Sequence, residues 1–201
     1  MPGVVFQRIV YREMALSCSR GTMKDHPGVK RMRLLAVLGP SNASADEESA
    51  AEDVGASAAR AGWAVLTGGG PGVMAAASRG AVGADGVTVG VLPTAGPAGG
   101  YPNDWVQIPI YTGAGSARNA FNVLSADLCV AIGGGSGTLS EIALALKAGK
   151  PVWCLKSWDL TPPPQTQPTT PRIFNNSEEL LSALQDYFAS ESQTFGSSGI
   201  R

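Results

Sequence analysis

Charge is scarce in this chain. Only 15 % of its 201 residues are charged, 15 basic against 16 acidic, for a formal net charge of −1. A protein so balanced has no broad field with which to draw nucleic acid or an anionic membrane, so any anion it holds must be held by local groups. Histidine is reduced to His26, which argues against a Ser-His-Asp triad and against a histidine metal site. The three cysteines, Cys18, Cys129 and Cys154, are too few for a disulfide framework or a zinc site. Two of them stand inside the apolar runs DLCVAI and PVWCLK, where a thiol behaves as a small hydrophobe, and a reducing, cytoplasmic setting is expected. No apolar run approaches the ~20 residues that span a bilayer, so no membrane partner is expected.

What is present is the material of a globular core: 44 % of the residues are hydrophobic, in a chain long enough for one domain of ordinary size. Residues 1–31 carry Arg8, Arg12, Arg20, Lys24, Lys30 and Arg31 against Glu13 and Asp25. They are expected to form a flexible basic extension; an organelle-targeting peptide would share that charge, but serine is scarce. Residues 32–192 are read as a single domain and 193–201 as a flexible tail.

Within that domain strand-like runs alternate with helical spacing. Arg33–Gly39, Trp63–Gly69, Val87–Pro93, Gln107–Thr112, Asp127–Gly133 and Pro151–Lys156 read as strands. Between them, Ser44 with Glu47 forms a capping box ahead of Ala50, Val54, Ala58 and Ala61. An alanine-rich helix follows over about 73–81. Ala117, Phe121 and Leu124 space the next one, and Leu139, Ile142, Ala143 and Leu146 another. Thr161–Pro171, with five prolines, reads as an exposed loop. Asn176 with Glu179 caps a last helix facing inward through Leu180, Leu184 and Phe188. This rhythm predicts an α/β, Rossmann-like, doubly wound and mainly parallel sheet with helices on both faces.

In such a sheet ligands bind beyond the carboxyl ends of the strands. Three loops hold that position: GPSN (Gly39–Asn42), TGGGPGVM (Thr67–Met74) and GGGSGTLSE (Gly133–Glu141). Glycine lets a ligand touch the main chain, and free N–H groups at a helix start meet an anion end-on. The candidate ligand-binding residues are therefore Gly39, Asn42, Thr67, Gly68, Gly69, Gly70, Gly134, Gly135, Ser136, Gly137 and Thr138, with Ser136 and Thr138 adding hydroxyls. Amides at Gly68–Gly72 and Gly134–Thr138 are expected to converge on one phosphate. Neither loop is the dinucleotide fingerprint or the nucleoside-triphosphate P-loop. Glu141, on the first turn after the third loop, either serves the helix dipole or faces the pocket. Arg118 is the cation expected at the same mouth, its fork suited to phosphate.

At ARN (117–119), SAD (125–127) and GGGSGTLSE (133–141) the chain resembles the superfamily once labelled lysine-decarboxylase-like, which includes the Lonely Guy cytokinin-activating phosphoribohydrolases. Their P-G-G-x-G-T-x-x-E motif and arginine are matched by Gly134, Gly135, Gly137, Thr138, Glu141 and Arg118. Gly133 stands where those enzymes have proline and Asn119 where they have lysine. Both departures are shared with a sister branch, the molybdenum cofactor carrier proteins of green algae. That branch implies a homo-oligomer, tetramer or dimer, which stores molybdopterin-bound molybdenum as cargo and hands it to an acceptor such as nitrate reductase. It implies no metal ligands from the protein, because the pterin's sulfurs hold the metal. The enzyme branch implies instead hydrolysis of a cytokinin riboside 5′-monophosphate, with Arg118 and Glu141 as the catalytic pair.

Overall fold

The computed structural model describes residues 31–158, 160 and 170–196. The expectations for the basic extension, for most of the proline-rich loop and for the last residues of the tail lie outside them.

The six expected strands form, each slightly shorter than its apolar run: β1 (Leu34–Leu38), β2 (Ala64–Thr67), β3 (Thr88–Leu92), β4 (Ile108–Tyr111), β5 (Leu128–Ile132) and β6 (Val152–Leu155). A seventh, β7 (Arg172–Phe174), follows the proline-rich stretch and was not legible, being three residues long. All pair in parallel, in the order β4-β3-β2-β1-β5-β6-β7. The sheet is Rossmann-like and doubly wound, as its sequence rhythm predicts.

Helices cover both faces: α1 (Ala45–Arg60), α2 (Val73–Gly83), α3 (Asn119–Ser125), α4 (Ser136–Lys147) and α5 (Ser177–Gly196). Because side chains alternate along a strand, Leu35 and Val37 of β1 join α1, α2 and α5 in one core, while Ala36 and Leu38 join α3 and α4 in the other. An aromatic group of Trp63, Trp153, Tyr187 and Phe188 closes the first core against α5. Cys129 and Cys154 are buried in the second, where desolvation pushes their thiols up to about 12 and about 11.

The capping box forms as read: the Ser44 hydroxyl accepts from the Glu47 N–H, and the Glu47 carboxylate accepts from the Ser44 N–H at 2.7 Å. At α5 the Glu179 N–H donates to Asn176 Oδ1 at 2.9 Å, and the helix runs past Ser192 to Gly196. The third helix departs from its reading. It opens with a 3₁₀ turn (Gly115–Arg118), and Ala117, Phe121 and Leu124 face outward, the last two about half exposed at 50 % and 55 %. Its buried side carries Arg118, Asn119, Asn122 and Val123 instead. Among the described residues no helix is long and apolar enough to cross a membrane.

Candidate functional site

Strands β1 and β5 lie side by side, but the chain leaves them toward opposite faces, into α1 and into α4. In sheets of this kind that parting is the place where a ligand crevice is expected. The loops after β1, β2 and β5 surround it.

The loop after β5 begins with Gly133, which has φ +60 and donates its N–H to Leu155 O at 3.0 Å. A Cβ on this residue would enter the Glu47 carboxylate, whose other oxygen is held by Ser44. The cap of α1 therefore seats the third glycine loop. Beyond it, residues 134–137 are exposed. Helix α4 starts at Ser136 with Gly135 as N-cap, and no side chain caps it. The N–H groups of Ser136, Gly137 and Thr138 thus have no partner within the helix. Nothing lies within 4 Å of a Cβ built on Gly135 or Gly137, and neither has positive φ. The fold does not demand glycine at these two positions; a molecule set against the main chain would. The Thr138 side chain is buried, so of the two expected hydroxyls Ser136 is the exposed one.

The loop after β2 has a different character, and the expectation that both loops offer open amides to one anion is corrected here. Gly68, Gly69 and Gly70 are buried. The Arg118 guanidinium lies on Gly68, Leu92 on Gly69, and Met74 with Tyr101 on Gly70. Thr67 is fully buried, its hydroxyl accepting the Gly69 N–H at 3.1 Å. Asn103 completes the cover, donating its N–H to Gly69 O and its side-chain amide to Gly70 O, both at 2.8 Å. Here close packing explains the glycines. In the first loop Gly39 packs against Val73 and Ile132 O, and Asn42 is exposed.

Arg118 also differs from its reading. Only 8 % exposed, it lies beneath the mouth and donates from Nη1 to Glu141 Oε1 at 3.2 Å. The same oxygen accepts from Asn122 at 3.0 Å. Burial pushes the Glu141 carboxyl above the usual range, against the opposing effects of the Asn122 hydrogen bond and the Arg118 charge. Arg118 Nε and Asn122 Oδ1 are buried without hydrogen-bond partners. The arginine thus bridges the second loop, at Gly68, and the third, through Glu141 on α4. Asn119 reaches the same helix by a relay, donating to Ser140 Oγ at 2.9 Å, which donates to Gly137 O at 2.7 Å.

Asn122, Tyr101, Asn103 and Trp158 were missed in the sequence. Asn122 follows Arg118 by four residues, one helical turn, and that spacing could have found it. The other three come from distant segments with no local signal. Among the described residues no group of three or more His, Cys, Asp or Glu is placed to hold a metal ion.

A family model, the SLOG cluster4 family, matches residues 32–185. The molybdenum cofactor binding protein of the phototrophic bacterium Rippkaea orientalis is 36 % identical, with 79 % of this chain and 99 % of that one covered, at a TM-score of 0.68. The molybdenum cofactor carrier protein of Chlamydomonas reinhardtii is 35 % identical over the same shares, at a TM-score of 0.66. An uncharacterized protein of Archaeoglobus fulgidus is 38 % identical over 126 residues, 63 % of this chain and 82 % of its own length. DNA processing protein A of Helicobacter pylori, 17 % identical over 77 % of this chain and 81 % of its own, at a TM-score of 0.55, shares the fold alone.

Proposed function

The chain belongs to the SLOG cluster4 family, and on that premise we propose that it binds molybdenum cofactor as cargo and passes it to a molybdoenzyme acceptor such as nitrate reductase. The cofactor's phosphate lies on the N-terminus of α4, held by the amides of residues 136–138 and the Ser136 hydroxyl. One observation carries this reading: Gly135 and Gly137 are exposed, unstrained and next to empty space, so their glycine character serves something outside the chain. The likeness to the molybdenum cofactor binding protein of Rippkaea and the carrier protein of Chlamydomonas supplies the class of ligand. The Arg118–Glu141 pair, together with Asn122, keeps the floor of the site rigid and nearly neutral, which suits holding without turnover. Molybdenum needs no protein ligand in this reading, since the pterin's sulfurs carry it.

Gly137→Ala tests the main-chain contact. The substitution should leave the melting temperature unchanged or slightly higher, because alanine is the better helix former. It should weaken binding of the purified cofactor by roughly tenfold or more, about 1.4 kcal/mol. Mass spectrometry of protein purified anaerobically should find a phosphorylated pterin, and the loaded protein should restore activity to cofactor-free nitrate reductase. Protein that never holds a pterin and restores nothing would sink the proposal.

A second reading rests on Glu141, a buried carboxyl with raised affinity for its proton, beside Arg118. Such a pair could hydrolyse the N-glycosidic bond of a nucleoside 5′-monophosphate. It predicts release of free base from isopentenyladenosine monophosphate, lost in Glu141→Ala.

A further inference from the structure

Trp158 follows β6 and lies on the third glycine loop. The pyrrole edge of its indole occupies the space that a Cβ on Gly134 would need, and its Nε1–H donates to Gly135 O at 3.2 Å. The ring remains 41 % exposed. The other large apolar side chains left exposed are Met32, ahead of β1, and residues on or beside β4, α3 and β7. Among the described residues, Trp158 is the exposed aromatic in contact with a glycine loop.

We infer that Trp158 forms one wall of the ligand site, on which the planar ring of a phosphorylated heterocycle lies. The inference rests on the proposed function and adds to it the group that recognises the ring. Gly135 O accepts from Leu139 N and from the indole, so the Gly135–Ser136 peptide is held on its carbonyl side. In a trans peptide the N–H points the opposite way, which aims the Ser136 N–H outward at the anion. A phosphate bound there has the indole as its neighbouring apolar surface. The Ser157 hydroxyl, beside Gly134, is buried without a hydrogen-bond partner under the same loop. Gly134 serves this arrangement too, since any side chain there would displace the indole.

The test compares wild type with Trp158→Ala and Trp158→Phe by calorimetric titration with three probes: inorganic phosphate, the phosphate ester of 6-hydroxymethylpterin, and adenosine monophosphate. Stacking on an aromatic contributes enough that Trp158→Ala should bind the pterin phosphate roughly tenfold more weakly. Inorganic phosphate should bind within about twofold of wild type, because it needs only the amides. Trp158→Phe keeps a ring without the indole donor and should recover most of the loss. Equal weakening of phosphate and pterin phosphate in Trp158→Ala would reduce Trp158 to a loop support and overturn the inference. Unchanged preference for the pterin ester in that variant would overturn it while leaving the proposed function standing. Wild type that binds the pterin ester no tighter than phosphate overturns both, and preference for adenosine monophosphate favours the hydrolase reading. Should Trp158→Ala fail to melt cooperatively, Trp158→Leu replaces it, with the same outcomes deciding.

Discussion

Gly133 shows how tightly the fold can hold a single residue. Its φ of +60 is closed to proline, its N–H is bonded to Leu155 O, and the Glu47 carboxylate fills the space beside it. Gly133→Pro should therefore destabilise the domain by about 3 kcal/mol or more, read as a drop in the urea midpoint, while Gly133→Ala should lose about 1–2 kcal/mol. A proline-bearing relative must lead its chain through this turn differently. Glu141 gives a second prediction. Its folded carboxyl binds its proton more tightly than the unfolded chain does, because burial outweighs its two partners. Over the window from the ordinary carboxylate range upward, the native state holds more protons, so wild-type stability falls as pH rises through it. The difference between wild type and Glu141→Gln should move against wild type from acid toward neutral pH, measured by urea unfolding at each pH. A flat difference would mean that Arg118 and Asn122 offset the burial completely.

Among the elements, strands β1–β6 and the capped helices α1 and α5 could be read from sequence because each rests on a local signal: an apolar run, a serine–glutamate box, an asparagine cap. Helix α3 could not. Its inward side is polar, with Arg118 and Asn122 spent on Glu141, and its apolar side faces out, so a rule that turns leucine and phenylalanine inward selects the wrong face. The same reversal explains the misreading of Arg118. Its spacing identified it, but only the fold reveals that Gly68 and Glu141 enclose its guanidinium. The third glycine loop was legible as an exposed loop leading into an uncapped helix start. The second was legible as a glycine loop but not as a covered one, since Leu92, Tyr101 and Asn103 arrive from another segment. Helices α1 and α2 cross where Gly55 meets the Ala77 carbonyl and Gly80 the Glu52 carbonyl. Gly80→Ala should lower stability by about 1–3 kcal/mol through overpacking, despite its better helix propensity. Gly83→Ala, with nothing within 4 Å, should not. Thermal unfolding of the two variants side by side checks the contrast.

At the scale of the whole molecule, the outward apolar side of α3 and the exposed Ile108, Ile110 and Tyr111 on edge strand β4 leave hydrophobic surface uncovered in one copy. The self-association implied by the family resemblance is proposed to use the α3 side. Phe121→Glu with Leu124→Glu should then reduce the mass found by light scattering to that of one chain, with the far-ultraviolet circular dichroism spectrum unchanged. An unaltered assembly would move the interface elsewhere.

The two thiols sealed between β5, β6 and α4 carry a practical consequence. Desolvation leaves Cys129 and Cys154 almost wholly protonated at neutral pH, so neither is nucleophilic while the sheet is closed. An alkylating reagent can reach them only when that half of the domain opens, which makes their modification rate a clock for unfolding excursions. Run with and without molybdenum cofactor, that clock measures whether the proposed ligand steadies this half of the domain.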